Sequence, residues 1–270
     1  MRLMARDLET GLVKVSGIEV LIAGEQNDLY FQQCLEQHSL FEPSVEIATR
    51  LLKTNPIILD IGASIGGVTS ALAKYFVEGR VIAFEAAPSV HRSLKETVRL
   101  SNGGQITVVE KAAGSSAGSL MFHEDGNGSG WGFLADDLGA VEVDVVTIDD
   151  TVKNLALPTV DFIKIDVEGS EMAVLLGAEN TLSKFKPILI FEVNTFCLWR
   201  YGRTFPQDLI QWVRDRYPFT AAIFSDGSVT EIVDDATVNH LLHLVGSQGG
   251  LLDIVASPKP FIQKIENIHT

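Results

Sequence analysis

From residue 57 onward the chain alternates short, fully apolar runs with stretches that place apolar residues at helical spacing. Ile57-Ile58-Leu59 has no polar face, which marks a strand covered on both sides. Residues 68–76 repeat apolar positions every three or four residues and read as a helix. Val81-Ile82-Ala83-Phe84 and Ile106-Thr107-Val108-Val109 are further strands, with a helix over 89–100 between them. The alternation continues through Phe162-Ile163-Lys164-Ile165, a helix over 171–182 and the strand Ile188-Leu189-Ile190-Phe191. A helix over 207–216 and strands at 221–224 and 252–255 complete it. The pattern predicts right-handed βαβ units in a doubly wound, Rossmann-like α/β sheet, mostly parallel with a late antiparallel strand.

Two regions depart from this rhythm. Residues 114–150 alternate at 119–122 and again at 141–148, which predicts an inserted β-hairpin around a loop at Asp125-Gly126-Asn127-Gly128-Ser129-Gly130. Near the N-terminus, Leu12-Val13-Lys14-Val15 and Ile18-Glu19-Val20-Leu21-Ile22 read as short strands, followed by a helix over 44–52 behind Pro43. The expected organisation is an N-terminal β/α extension over 1–55 and one main domain over 56–270.

Composition narrows the partners. With 35 acidic against 21 basic residues the formal charge is −14, so phosphate backbones and anionic lipids are repelled on average. Neither nucleic acid nor membrane is the expected partner. Cys34 and Cys197 form no zinc pattern or disulfide framework. The N-terminal stretch lacks the apolar core of a signal peptide, and a cytoplasmic protein is expected.

In doubly wound sheets ligands sit beyond the carboxyl ends of the strands. Those ends carry Asp60, Glu85, Glu110-Lys111, Asp166 and Glu192. The loop Asp60-Ile61-Gly62-Ala63-Ser64-Ile65-Gly66-Gly67 suits a nucleotide cofactor: Gly62 permits a tight turn and Gly66 a close backbone approach. Asp60 is expected to accept from the ammonium of a zwitterionic cofactor such as S-adenosyl-L-methionine. Glu85, 25 residues later, is expected to take both ribose hydroxyls. The same loop spells the G-x-S-x-G elbow of α/β-hydrolases around Ser64, with Asp226 and His240 available downstream. That alternative gives Glu85 no task. A nicotinamide fingerprint is absent, since Ser64 stands where its second glycine belongs. A non-catalytic binding protein on the same fold is a third reading.

Asp161-Phe162-Ile163-Lys164-Ile165-Asp166-Val167-Glu168-Gly169-Ser170-Glu171 is the second informative segment. Its strand delivers Asp166 and Glu168 to the cleft edge, and Gly169 allows a sharp turn. Glu171 reads as a helix-dipole partner, and Lys164 as tied to a buried carboxylate. Asp60-Ile61-Gly62-Ala63, Phe84-Glu85-Ala86 with Pro88, the Ile163–Gly169 run with Glu171, Leu176-Gly177-Ala178 and Phe191-Glu192-Val193 together resemble the FkbM family of methyltransferases. Phe41-Glu42-Pro43 resembles that family's entry segment, and the likeness spans roughly residues 40 to 195.

The resemblance implies O-methylation of a hydroxyl on a sugar or small secondary metabolite by S-adenosyl-L-methionine. The expected cofactor contacts are Asp60, Gly62, Ala63, Ser64, Gly66, Glu85, Ala86, Lys111 and Ala112, the last two bordering the adenine. Asp166 and Glu192 are the candidates for base or substrate orientation. Asp166, Glu168 and Glu192 could in principle bind a divalent ion, but no dedicated metal-ligand set is evident. Trp131 is a candidate lid, and His123 reads as an isolated surface histidine. Phe196, Cys197, Leu198, Trp199 and Tyr201 are expected to line an apolar acceptor pocket or a homo-oligomer interface.

Overall fold

The structure is a computed structural model that describes residues 8–102, 104–124, 132–134, 141–248 and 250–265. The extension begins with β1 (Glu9–Val15) and β2 (Ile18–Gly24), an antiparallel pair turning at Ser16-Gly17, where both φ are positive. Helix α1 (Leu29–Gln37), strand β3 (Ser39–Leu40) and helix α2 (Pro43–Leu51) follow. The alternating part then runs β4 (Ile57–Ile61), α3 (Gly67–Tyr75), β5 (Arg80–Phe84), α4 (His91–Leu100) and β6 (Gln105–Val109).

The inserted region comprises β7 (Ala112–Ala113), β8 (Gly118–Glu124), β9 (Gly132–Leu134) and β10 (Val141–Val146). The expected hairpin is present as β8 paired with β10, Val141 opposite Phe122, but it belongs to a four-stranded sheet ordered β7-β10-β8-β9. Its loop at 125–130 lies outside the described residues. Residues 147–148 leave the strand because Thr147 caps the helix α5 (Ile148–Asn154), accepting from Asp150 N.

The chain returns to the main sheet with β11 (Phe162–Ile165), α6 (Glu171–Leu176), α7 (Glu179–Phe185), β12 (Ile188–Asn194) and α8 (Thr195–Arg200). It ends with α9 (Pro206–Arg214), β13 (Phe219–Ile223), β14 (Val229–Glu231), α10 (Asp235–Gln248), β15 (Leu251–Ser257) and α11 (Ile262–Ile265). The single helix expected over 171–182 is two helices. They part at Gly177, where a Cβ would overlap the Gly114 carbonyl.

The main sheet has eight strands ordered β14-β13-β15-β12-β11-β4-β5-β6. The five from β12 to β6 are parallel, and β15 is antiparallel to both β12 and β13. The expected doubly wound, mostly parallel architecture with a late antiparallel strand is therefore observed.

Side chains alternate faces along each strand, which divides the core in two. Leu59, Ile163 and Leu189 pack against α5, α6, α7, α9 and α10, whereas Ile58, Phe162 and Ile190 face α2 and α3. The extension shares the second face: Val13, Val15, Ile22 and Phe31 belong to the same buried cluster as Ile58 and Phe162. A bond from Ala23 N to Thr97 Oγ1 at 2.8 Å ties β2 to α4. No helix among the described residues is long and apolar enough to cross a membrane.

Because Phe31 is fully buried in this shared core, Phe31→Ala should destabilise the whole chain by roughly 3–5 kcal/mol. A urea titration followed by far-UV circular dichroism should show one transition at a lower midpoint. Loss of the extension's signal alone, with the main transition unmoved, would contradict the shared core.

Candidate active site

The parallel strands β12, β11, β4, β5 and β6 end on one side of the sheet. At about 4.8 Å between neighbours, their ends form a row about 19 Å across. Chain order reverses between β4 and β11, the place where such sheets open a crevice. A cavity of about 300 Å³ lies there, lined by Ser64, Glu85, Ala112, Asp166, Glu168 and Glu192 among others.

The loop after β4 is held by the strands on either side. Gly62 N and Ala63 N both donate to Phe84 O, at 3.0 and 2.9 Å. Gly62 has φ +85°, and a Cβ there would overlap the Asp166 carbonyl, so only glycine lets the loop lie so close to β11. Ser64 N donates to Glu85 Oε2 at 2.7 Å, and Ala87 N to Glu85 Oε1 at 2.8 Å. Burial raises the Glu85 pKa, and these two bonds oppose that shift without cancelling it. The carboxyl is thus fixed at the cavity wall, each oxygen retaining a lone pair.

Beneath this loop is a buried ion cluster. Lys164 Nζ donates to Gly62 O at 3.0 Å and lies 3.3 Å from Asp166 Oδ2 and 3.5 Å from Asp60 Oδ1. Burial alone would lower the Lys164 pKa, but Asp166, Asp60 and Glu42 together raise it, so the ammonium stays charged. The sequence expectation for Lys164 holds. Asp60 departs from its expectation: it has no exposed surface, accepts from Thr69 Oγ1 and faces Lys164, not the cavity. Its expected contact with a cofactor ammonium is therefore corrected to a structural one.

At the other end of the row, Asp166, Glu168 and Glu192 converge, with ligand oxygens within 4.8 Å of one another. Such a trio, named together from the sequence, could hold a divalent cation. Glu192 lies inside β12, not after it, opposite Asp253 of β15. Burial and the nearby charges of Asp166, Glu168, Asp253 and Glu171 push its pKa up to about 11. Asp253 is raised to about 8 by burial and by Asp166 and Glu42. Glu171 is fully buried rather than a surface dipole partner, and its Oε1 accepts from Val167 N and Gly169 N, both at 3.2 Å. It braces the turn that carries Glu168, which Asn194 Nδ2 also holds at 3.2 Å.

The family model described as "Methyltransferase FkbM domain" matches residues 60–217, more than half of the chain. The chain belongs to the FkbM methyltransferase family. It is 27% identical over 213 residues to the methyltransferase sdnD of Sordaria araneosa, covering 63% of this chain and 82% of that one. It is 24% identical over 157 residues to the 2-O-methyltransferase NoeI of Sinorhizobium fredii, covering 52% of this chain and 64% of that one. Among solved structures, the FkbM methyltransferase of Methylobacillus flagellatus is similar at 23% identity with a TM-score of 0.45. That likeness covers 65% of this chain and 41% of the solved one.

Of the residues proposed from sequence for this FkbM chain, Gly62, Ser64, Glu85, Ala86, Lys111, Ala112, Asp166 and Glu192 line one cavity. Ala63 and Gly66 do not. Ala63 packs with Ala83 and Leu94, and Gly66, at φ +90°, lies against Leu94 and Thr97 of α4. Gly66 leaves room for α4 rather than facing the cavity. The hydrolase triad is not assembled. Asp226 follows β13, four strand spacings or about 19 Å from β4, and His240 is exposed on α10.

Sequence reasoning missed the cavity residues Tyr30 and Gln33 of α1, and Asp253, which pairs opposite Glu192. Asp28 before an apolar run, a cap for Phe31 N, was the available signal for α1. Of the residues expected to line an acceptor pocket or a homo-oligomer interface, Cys197 and Leu198 are buried, Phe196 and Trp199 are exposed, and none of the five lines the cavity. His123 is not isolated, since it stacks on Phe133, which stacks on Tyr201. Trp131 lies outside the described residues.

A carboxyl holding its proton far above its ordinary value of 4.5 contributes stability below that pH, and the contribution is lost as pH rises toward about 11. Glu192→Gln, which mimics the protonated acid, should therefore be more stable than the native chain, by a margin widening from pH 5 to pH 9. Urea midpoints across that range measure it. A margin constant with pH would refute the raised Glu192.

Proposed function

We propose that this FkbM-family chain is an S-adenosylmethionine-dependent O-methyltransferase acting on a hydroxyl of a carbohydrate or other small-molecule acceptor. The observation that carries the reading is Glu85: a carboxyl fixed at the cavity wall by Ser64 N and Ala87 N, one strand from the side-chain-free turn at Gly62. A fixed pair of oxygens suits the two hydroxyls of a ribose. Ala112, buried beyond β6, gives an adenine a small apolar neighbour. The donor set and the cavity volume fit a nucleoside cofactor.

When bound, that cofactor supplies a methyl group on a sulfonium. The chain's own residues have the remaining tasks of orienting the acceptor, excluding water and moving one proton. Asp166, ion-paired with Lys164 and 38% exposed on its side chain, is the carboxylate assigned to take the acceptor's proton. Glu192 holds its own proton and is assigned to donate a hydrogen bond that orients the acceptor oxygen. The stack of His123, Phe133 and Tyr201, with Phe196 edge-on to Tyr201, offers aromatic faces for an acceptor's C–H surface.

Two measurements test the reading. Calorimetry with S-adenosylhomocysteine should show binding by the native chain that Glu85→Ala weakens by ~10- to 100-fold, the worth of a charge-assisted hydrogen bond. Undiminished binding would remove Glu85 from the ribose. With cofactor saturating, Asp166→Asn should lower turnover by about 10²- to 10⁴-fold while Glu192→Gln keeps most of it. The reverse order would exchange their roles.

A further inference from the structure

Helix α1 is anchored by one side and presents another to the cavity. Phe31 and Cys34 are buried, and the bare backbones of Gly24 and Gly11 leave the space that Phe31 and Leu35 occupy. Tyr30 and Gln33, three residues apart and so neighbours on the helix surface, both line the cavity. Tyr30 also borders a smaller recess shared by Gly62, Ser64, Glu42, Lys164 and Asp166.

Position along the row of strand ends gives these two residues a task. Glu85 ends β5 and Ala112 follows β6, whereas Tyr30 reaches the ends of β4 and β11. A ligand with its ribose at Glu85 and its base toward Ala112 must extend its other end over Gly62 and Ser64. On the cofactor reading above, on which this inference rests, that end is the amino-acid portion.

We propose that α1 forms the wall holding the amino-acid end of the bound cofactor, through the Tyr30 ring and the Gln33 amide. The amide offers both donors and an acceptor, which suits a group bearing an ammonium and a carboxylate. The ring screens that group from solvent. Burial and the Glu42 carboxylate raise the Tyr30 pKa well above its ordinary value, so the ring stays neutral throughout the working range. The N-terminal extension is then part of the binding site.

Calorimetry on the full chain with two probes tests this: S-adenosylhomocysteine, and 5′-methylthioadenosine, which lacks the amino-acid end. Tyr30→Ala and Gln33→Ala should each weaken the first probe by ~5- to 10-fold and leave the second within about twofold. Gln33 is exposed, so its variant keeps the test decisive if Tyr30→Ala fails to fold. Unchanged affinity for S-adenosylhomocysteine in the folded variants would overturn the proposal, as would equal losses for both probes. Failure of the native chain to bind either probe would instead overturn the cofactor reading, and the α1 assignment with it.

Discussion

The site depends on one buried ammonium. Lys164 sits in the middle of β11, a strand otherwise apolar on both faces, where a lone charge would be severely penalised. It is tolerated because Asp60, Asp166 and the Gly62 carbonyl surround it. The same three contacts join β4, its loop and the β11 end into one unit. Removing the cation would leave Asp60 fully buried without its counter-charge, a defect that costs several kcal/mol in comparable settings. The cluster therefore fixes the floor of the cavity before any ligand arrives.

Around that cation the carboxylates divide into two kinds. Asp60 and Asp166 are ion-paired to Lys164, whereas Glu192 and Asp253 are pushed to hold protons by burial and by their acidic neighbours. Environments that separate the behaviour of chemically similar acids are how one site can accept a proton and donate a hydrogen bond at the same pH. A divalent ion between Asp166, Glu168 and Glu192 would reverse the arrangement, because its charge would favour the ionised form of all three.

The parallel sheet was legible because strands buried on both faces leave unbroken apolar runs, and 57–59, 81–84 and 162–165 are such runs. Glu85 was legible for a related reason: it stands at the end of one of them. Asp60 shows the limit of that logic. It sits one residue inside the strand end, and that single step turns its side chain from the ligand side to the Lys164 side. Glu192 was misplaced likewise, because β12 continues to Asn194 to meet β15 and an apolar run cannot reveal pairing that polar residues continue. Tyr30 and Gln33 were illegible as site residues, since their place depends on how the extension docks against α3 and α4. Contacts between segments distant in sequence leave little local pattern.

The row of strand ends separates two kinds of surface. Over β4, β5 and β6 the cavity is bounded by small side chains and backbone amides at Gly62, Ser64, Ala86 and Ala112. Such surfaces vary little without disturbing the sheet, as Gly62 shows by leaving no room for a Cβ beside Asp166. Over β11 and β12 the neighbours include α1, through Tyr30, and α8, which follows β12 directly, both short elements outside the regular alternation. Their aromatic side chains can change size or position without altering any strand pairing of the main sheet. Variation is consequently freest at exposed side chains such as Phe196 and Trp199, while the turn at Gly62 is constrained by backbone geometry. Substitutions at the two ends should therefore differ in kind, changing side-chain surface at one and foldability at the other.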